Sequence, residues 1–310
     1  MDFSLSEEQL LLRDSIEKYV GEHLGVDRHR GLAGGDTGFD PAVWTQFAEL
    51  GWLSVSFSEE QGGFDGGATD LMVVGEALGK GHVREPFLHT VVTCGGLLQR
   101  VGSAAQQQQY IAAIIDGSAQ WALAVAEQGG GYAVDRVTTQ AQPAGPGFSL
   151  SGAKLAVLNG HCADHLVVSA QTPEGISLFI VDASTEGVSR EAFTAVDGSR
   201  GAHIAFDGVA LDAGALLGAS GEGVALLEAA FDRAAVAIGG EALGAMQALL
   251  DATVEYTSTR QQFGQPISKF QVLQHRMADM YMKLEETRSL LLNAAIQLEE
   301  GSDEAAAACA

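Results

Sequence analysis

Positive charge is scarce in this 310-residue chain: 17 lysines and arginines stand against 40 aspartates and glutamates, a net charge of −23. Nonspecific binding to nucleic acid or insertion at an anionic membrane surface needs clustered positive charge, so both are excluded. Any anionic ligand has to be held by a few local donors. Cysteine is equally sparse. Cys94, Cys162 and Cys309 are odd in number, far apart and not spaced as a metal knuckle, which points to buried or incidental thiols and away from a disulfide framework. No run of about eighteen apolar residues occurs, which leaves no candidate for membrane insertion. The start, MDFSLSEEQ, is acidic where a secretory leader would be basic, and the expected location is cytoplasmic. Several chemical signatures are missing as well: HExxH, GxSxG and paired cysteines do not occur, and the GGG at 129–131 lacks the lysine and spacing of a phosphate loop.

What the chain does have is 46% hydrophobic residues over a length suited to two or three domains. Residues 1–118 read as helical. Ser6 followed by Gln9 makes a capping box ahead of LLLRDSIEKYV, and Asp40–Pro41 reads as N-cap and first residue of a helix that Gly51 ends. A glycine-rich loop, SEEQGGFDGG at 58–67, precedes another apolar-periodic helix through LMVVGEALG. Near residue 119 the hydrophobic period drops to about two. WALAVA, RVTTQA, FSLSGA, HLVVSAQ and ISLFIVD are short segments separated by turn residues, which predicts a central antiparallel β-barrel or sandwich over 119–220. Helical periodicity returns over 221–310, where Phe270, Leu273, Met277, Met280 and Leu284 form one stripe. The predicted fold class is therefore α+β and multi-domain: N-terminal helical domain, central β domain, C-terminal helical bundle. The last residues, GSDEAAAACA, read as a helix that has just begun, so the chain is expected to continue or to be incomplete at this end.

Between the two long C-terminal helical segments lies TSTRQQFGQPISKFQVLQHRMADM, residues 257–280. By itself it reads as a helix stop and restart, with an arginine in the last turn, Gly264 as a cap and Pro266 blocking continuation. Together with SEEQGG near residue 60, AVAEQGGGY at 124–132 and KLAVLNG at 154–160, the segment RQQFGQPISKFQ at 260–271 resembles the acyl-CoA dehydrogenase family of flavoproteins. The resemblance spans the whole chain. Within the family it is most similar to the small subunits of two-component enzymes, of the kind proposed for pimeloyl-CoA and steroid side-chain degradation.

The resemblance implies FAD as cofactor, with Arg260 on its pyrophosphate, Phe263 near its adenine end and Gln271 hydrogen-bonding the dinucleotide, typically in a neighbouring subunit. A planar guanidinium matches phosphate oxygens better than an ammonium does. It also implies that Val125 and Ala126 run along the flavin ring, that Tyr132 stands near flavin or substrate, and that Leu158 lies at the flavin. Here the chain departs from the family: Ala126 stands for the usual Thr, Gln128 for Pro, Tyr132 for Ser, Ala156 for Trp and Leu158 for Thr. Taken as plain sequence, KLAVLNG is a core strand ending at an Asn-Gly turn.

The family's reaction needs a carboxylate base for the α-proton of an acyl-CoA substrate. One branch places it at the position of Ala234, and most members place it beyond residue 310. Glu241, seven residues on, returns to nearly the same helix face about 10 Å further along and is the candidate base, with a structural glutamate as the alternative. Asp232 and Arg233 are candidate substrate residues, with an exposed, solvated Arg233 as the alternative. The expected function is α,β-dehydrogenation of an acyl-CoA thioester by a small, catalytically depleted subunit of a heteromer. Its expected partners are a larger homologous subunit or further copies of itself in a tetramer, and an electron-transfer flavoprotein. An active homo-oligomer and a flavin-free acyl-CoA-binding scaffold are the alternatives; no metal is expected.

Overall fold

The computed structural model describes residues 4–309 except 26, 27, 29, 30, 33, 34, 132 and 303. The chain forms two compact units that are interleaved in sequence. One comprises Met1–Arg28, Gly67–Val83 and Ala235–Ala310, the other His29–Gly66 and Arg84–Ala234.

The first unit is helical. Helix α1 (Glu7–His23) opens on the predicted capping box, Gln9 N–H donating to Ser6 Oγ at 3.1 Å and Ser6 N–H to Gln9 Oε1 at 3.0 Å. Helix α3 (Ala68–Lys80) is almost wholly buried, and its first N–H groups are satisfied from two directions. Asp70 Oδ2 accepts from Gly67 N–H at 2.8 Å, and Glu299 Oε1, at the end of helix α7 (Gln271–Glu299), accepts from Thr69 N–H at 2.7 Å. Helix α6 (Gly223–Thr259) is one continuous helix of 37 residues, and its later part crosses α3 at glycines from both sides. A Cβ at Gly79 would lie 2.1 Å from Glu241 O, one at Gly75 2.4 Å from Ala237 O, and one at Gly244 2.0 Å from Glu76 O.

Gly79→Ala therefore sets two effects against each other. Helix propensity favours alanine by about 1 kcal/mol, whereas a backbone-to-backbone overlap of this depth costs about 1–3 kcal/mol because nothing flexible can move aside. Net destabilisation is expected, seen as a lower denaturation midpoint. The α7 stripe forms as expected: Leu284 is buried and packs with Leu243 and Leu250, joined by half-buried Met280 and Met246. A short helix α8 (Ala305–Cys309) follows Ser302, whose Oγ accepts from Glu304 N–H at 3.1 Å.

The second unit carries the sheet. Helix α2 (Pro41–Glu49) starts as read from sequence, with Asp40 Oδ1 accepting from Ala42 N–H at 3.0 Å, and Gly51 follows at φ +78°. Leu88–Gly95 is a π-helical stretch that runs into α4 (Gly96–Val101), followed by α5 (Ala104–Ile115). The strands are β1 (Trp121–Ala124), β2 (Gln140–Ala144), β3 (Gly147–Leu158), β4 (His165–Thr172), β5 (Gly175–Asp182), β6 (Val188–Thr194), β7 (Arg200–Leu211) and β8 (Leu216–Leu217). They form one eight-stranded sheet in the order β6-β7-β3-β2-β4-β5-β8, with β1 parallel to β4 off this path.

The expected central β domain, read from sequence as a barrel or a sandwich, is present as a sheet that does not close into a barrel. Its two outer strands do not pair with each other, so the sheet stays open. Exposed β6, with Arg190 and Glu191, is a charged edge, and β8 has only two residues, both devices that blunt an edge without closing it. One face buries Leu150, Val157, Leu166, Val168, Phe179, Val181, Ile204 and Val209. The three cysteines are free thiols. Among the described residues no helix is long and apolar enough to cross a membrane.

Candidate functional site

Three groups of residues carry chemistry: one in the helical unit, one in the sheet unit, and one along helix α6, whose residues up to Ala234 belong to the sheet unit and from Ala235 on to the helical unit. In the helical unit the connector between α6 and α7 is a miniature hairpin, β9 (Gln261–Gln262) pairing with β10 (Gln265–Pro266), then a 3-10 turn at Ile267–Lys269. Its two-residue loop is Phe263–Gly264, at φ +54° and +79°. Positive φ at both central positions is the signature of a type I′ turn, which suits the twist of the flanking strands. Gly264 therefore serves the hairpin and not the helix end. Phe263 holds a conformation disfavoured for an aromatic residue, and its ring is 91% exposed, with one edge contact to Phe270 at 6.1 Å.

Arg260, the first residue after α6, accepts Ile267 N–H on its carbonyl at 2.9 Å and donates its own N–H to Tyr256 O at 2.8 Å. Its side chain is exposed and makes no hydrogen bond or ion pair with any described residue, so it does not cap the α6 carbonyls. Gln271 opens α7 and is exposed. A free guanidinium, an outward aromatic ring and a free amide thus sit together within twelve residues of backbone pinned by the hairpin, a donor set that fits a diphosphate and a base.

In the sheet unit, the segment after β1 is held like a strut. Lys154, fully buried on β3, donates to Glu127 Oε1 at 2.6 Å, Ser169 Oγ at 2.9 Å and Val125 O at 3.1 Å. Leu155 N–H donates to Ala126 O at 2.8 Å. Glu127 Oε2 accepts from Thr138 N–H at 2.7 Å and from the Thr138 hydroxyl, and Oε1 from Thr139 N–H at 3.1 Å. Burial works against the carboxylate, yet the hydrogen bonds from Lys154, Thr138 and Thr139 hold its pKa at about 2.

The strut leaves the N–H groups of Ala126 and Gln128 without a partner among the described residues. With Ala126 exposed and Val125 half-buried, these backbone donors fit a flat heteroaromatic edge. A bulge in β3, where the register to β7 shifts between Lys154 and Val157, puts Ala156 at φ +51° and turns Ala156 and Leu158 outward. Leu158 is 39% exposed, so KLAVLNG is a bulged strand with an open face, not wholly a core strand. Tyr132 lies outside the described residues. The buried pair Lys154–Glu127 was not singled out from sequence. Its signal was there: Lys154 is the one charged residue in β3, and Glu127 lies inside AVAEQGGGY.

Helix α6 carries the third group. Asp232, Arg233 and Ala234 are half-buried. Arg233 lays its stem over Gly96, where a Cβ would meet Cδ and Nε at 3.5 Å, so the solvated alternative does not hold. Glu241 is half-buried beside the α3 glycines and has no hydrogen bond or ion pair to any described residue. Desolvation pushes its carboxyl up to about 7.

Sequence models of the acyl-CoA dehydrogenase N-terminal, middle and C-terminal domains match residues 6–118, 122–209 and 221–310. Mitochondrial isovaleryl-CoA dehydrogenase of Pongo abelii is 32% identical over 96% of this chain and 73% of its own length. Among solved structures, the ChsE4-ChsE5 complex of Mycobacterium tuberculosis superimposes with TM-score 0.89 at 29% identity, over 100% of this chain and 83% of that one. The FAD complex of PigA gives TM-score 0.90 at 26% identity, over 98% and 82%. FAD is the cofactor that this kinship and the donor sets above support together. With all three domain models matched in order and the fold shared from end to end, the chain belongs to the acyl-CoA dehydrogenase family of FAD-dependent oxidoreductases.

Proposed function

We propose that the protein takes part in α,β-dehydrogenation of an acyl-CoA thioester as the small subunit of a heteromer, contributing cofactor-binding groups while a larger homologous subunit supplies the base. The single observation that carries this is the pairing of an intact, outward-facing Arg260 connector with Ala234 where a carboxylate would be needed. FAD, when bound, supplies the acceptor for the substrate's β-hydride. Arg260 holds the pyrophosphate, Phe263 the adenine end and Gln271 the dinucleotide of an adjoining subunit. Val125 and Ala126 offer their backbone to the ring, Leu158 lines it, and Asp232 and Arg233 border the thioester. No indole or hydroxyl is available from Ala156, Leu158 or Ala126, which supports the reading that a partner supplies this chemistry.

Apolar surface supports an assembly. Leu249, Val254, Tyr256, Val272, Tyr281 and Met282 are each 45–65% exposed along α6 and α7. A groove of about 470 Å³ runs between these helices, lined by Leu250, Val254, Met277 and Tyr281 among others. Patches of this kind mark interaction surfaces. The larger subunit is the proposed occupant in a four-chain assembly, and an electron-transfer flavoprotein is the proposed re-oxidant.

A second reading has a specific observation in its favour: Glu241, with its carboxyl near 7, has the pKa of a base working at neutral pH and would make the chain active by itself. The visible spectrum of the protein purified alone and after coexpression with its larger homologue separates the two. Flavin colour and acyl-CoA bleaching only in the coexpressed sample are expected. Colour and bleaching in the single chain would favour Glu241, and colourless protein in both samples would leave an acyl-CoA-binding scaffold.

A further inference from the structure

A polar cavity of about 450 Å³ lies wholly inside the sheet unit, where β4 begins and β5 ends, and Asp164, His165, Asp182 and Arg190 are among the residues that line it. Each of its three charged side chains is pinned on one side only. Asp164 Oδ2 accepts from Gln120 N–H at 2.7 Å, and Asp182 Oδ1 accepts from Ser184 N–H at 2.8 Å and from the Ser184 hydroxyl at 2.6 Å. Arg190 donates through Nη1, to Ala163 O at 2.9 Å, Gly160 O at 3.3 Å and His161 O at 3.4 Å. The other oxygen of each aspartate and the Nε–Nη2 edge of the guanidinium bond to no described residue.

Opposite charges elsewhere in this chain close on each other, as Lys80 does on Glu17 and Arg288 on Glu76, both at 2.7 Å. Around the cavity they stay apart, because each is committed to its own backbone anchor. The hydroxyl and N–H of Ser184 hold the Asp182 carboxyl below the ordinary carboxylate range, so it is ionised at neutral pH. His161 and His165 also line the cavity, and burial lowers the pKa of both, which leaves them neutral. His161 Nε2 lies 2.9 Å from Thr37 O and donates to it, so its Nδ1 carries a lone pair. That atom and Nδ1 of His165 are buried without a hydrogen-bond partner among the described residues.

These groups define what fits. The Nε–Nη2 edge of an arginine takes a carboxylate through two parallel N–H bonds. Two ionised aspartates facing one space repel each other unless a cation lies between them. Among the described residues no three His, Cys, Asp or Glu side chains converge as a metal ion would require, which favours an ammonium. We propose that the cavity binds a free amino acid, its carboxylate on the open edge of Arg190 and its ammonium on the unbonded oxygens of Asp164 and Asp182, with the two imidazoles bordering it. Because the three charges are already held in place, little ordering is left for the ligand to impose. The site is independent of the acyl-CoA reading above.

Calorimetric titration of the protein, together with any subunit it needs, tests this with glycine, alanine, serine and γ-aminobutyrate as probes and with ethylamine and acetate as single-charge controls. At least one amino acid is expected to bind saturably, one per chain, and about tenfold or more tighter than either control. Whether the α-amino acids or γ-aminobutyrate bind better reports the spacing of the two charges. Asp182→Asn keeps an oxygen for Ser184 and is safe for folding; it should weaken binding about tenfold or more with the melting temperature unchanged. Arg190→Lys keeps a donor for the three carbonyls but loses the paired edge, and a loss of similar size is expected. No saturable binding by any of the four amino acids would overturn the proposal. So would ethylamine or acetate binding as tightly as the amino acids, which would make this a simple amine or anion site, or an affinity unmoved by Asp182→Asn, which would place the ligand elsewhere.

Discussion

Lys154→Met is expected to destabilise the sheet unit by about 3–5 kcal/mol, the penalty for removing one member of a buried ion pair. Both side chains are enclosed, at 0% and 3% exposure, so solvent cannot take the place of the lost partner. Three acceptors lose their donor at once: the Glu127 carboxylate, Ser169 Oγ and Val125 O. The double variant Lys154→Met with Glu127→Met should lose much less than the sum of the single changes, because no uncompensated charge is left inside. Thermal melting of the four proteins measures this. Flavin content should fall in the single variant even in whatever fraction stays folded, since Val125 and Ala126 are aligned by this pair and by the adjacent Leu155 N–H.

Acid has a related effect, and its sign follows from Glu127. Its carboxyl titrates at about 2 in the folded chain, below the ordinary 4.5, so the stability it contributes is present above 4.5 and is lost as pH falls from there toward 2. In the Glu127→Gln protein that part of the acid transition should flatten. An unchanged pH profile would show that the pair is stability-neutral.

Arg260→Ala is expected to yield a folded protein that has lost its FAD, with affinity reduced about tenfold to a hundredfold. A charge-assisted bidentate contact to phosphate is worth about 1.5–3 kcal/mol, and it is the only strong contact this exposed residue has to give up. Stability should move by less than about 0.5 kcal/mol, because the guanidinium touches no described residue. Arg260→Lys should recover only part of the affinity, since a single ammonium cannot match two oxygens in one plane. Circular dichroism and the flavin-to-protein absorbance ratio read both halves of the prediction. Unchanged flavin content in Arg260→Ala would remove the connector from the cofactor site.

Much of this was legible in the sequence, and for local reasons. The Ser6–Gln9 box, the Asp40–Pro41 start and the α7 stripe depend on residues three or four apart, and each forms as read. The change of period near residue 119 located the strands, but alternation along a strand does not say which strand lies beside which, so barrel and sandwich both stayed open and the order of the sheet was not legible. The connector was read correctly as an interruption, while the purpose of Gly264 was missed, because a glycine signals positive φ without saying whether a helix or a hairpin requires it. Glu127 and Lys154 stand 27 residues apart and meet only when β3 lies against the segment after β1, a contact no spacing rule anticipates. For Arg233 the sequence left a substrate role and a solvated side chain both open, because the glycine that its stem covers belongs to a distant helix.

The interleaving of the units has a consequence for biosynthesis. Helix α3 leaves the ribosome early, with Leu71, Val74 and Ala77 destined to be completely enclosed, yet the glycine-studded part of α6 that seals one side of it is translated more than 150 residues later. Throughout that interval a greasy rod waits for its lid, which makes the nascent chain a natural client of chaperones. For the same reason, a premature stop before residue 235 would cripple the amino-terminal helices as surely as the missing carboxy-terminal ones, since α1 and α3 would have no α6 and α7 to close over them.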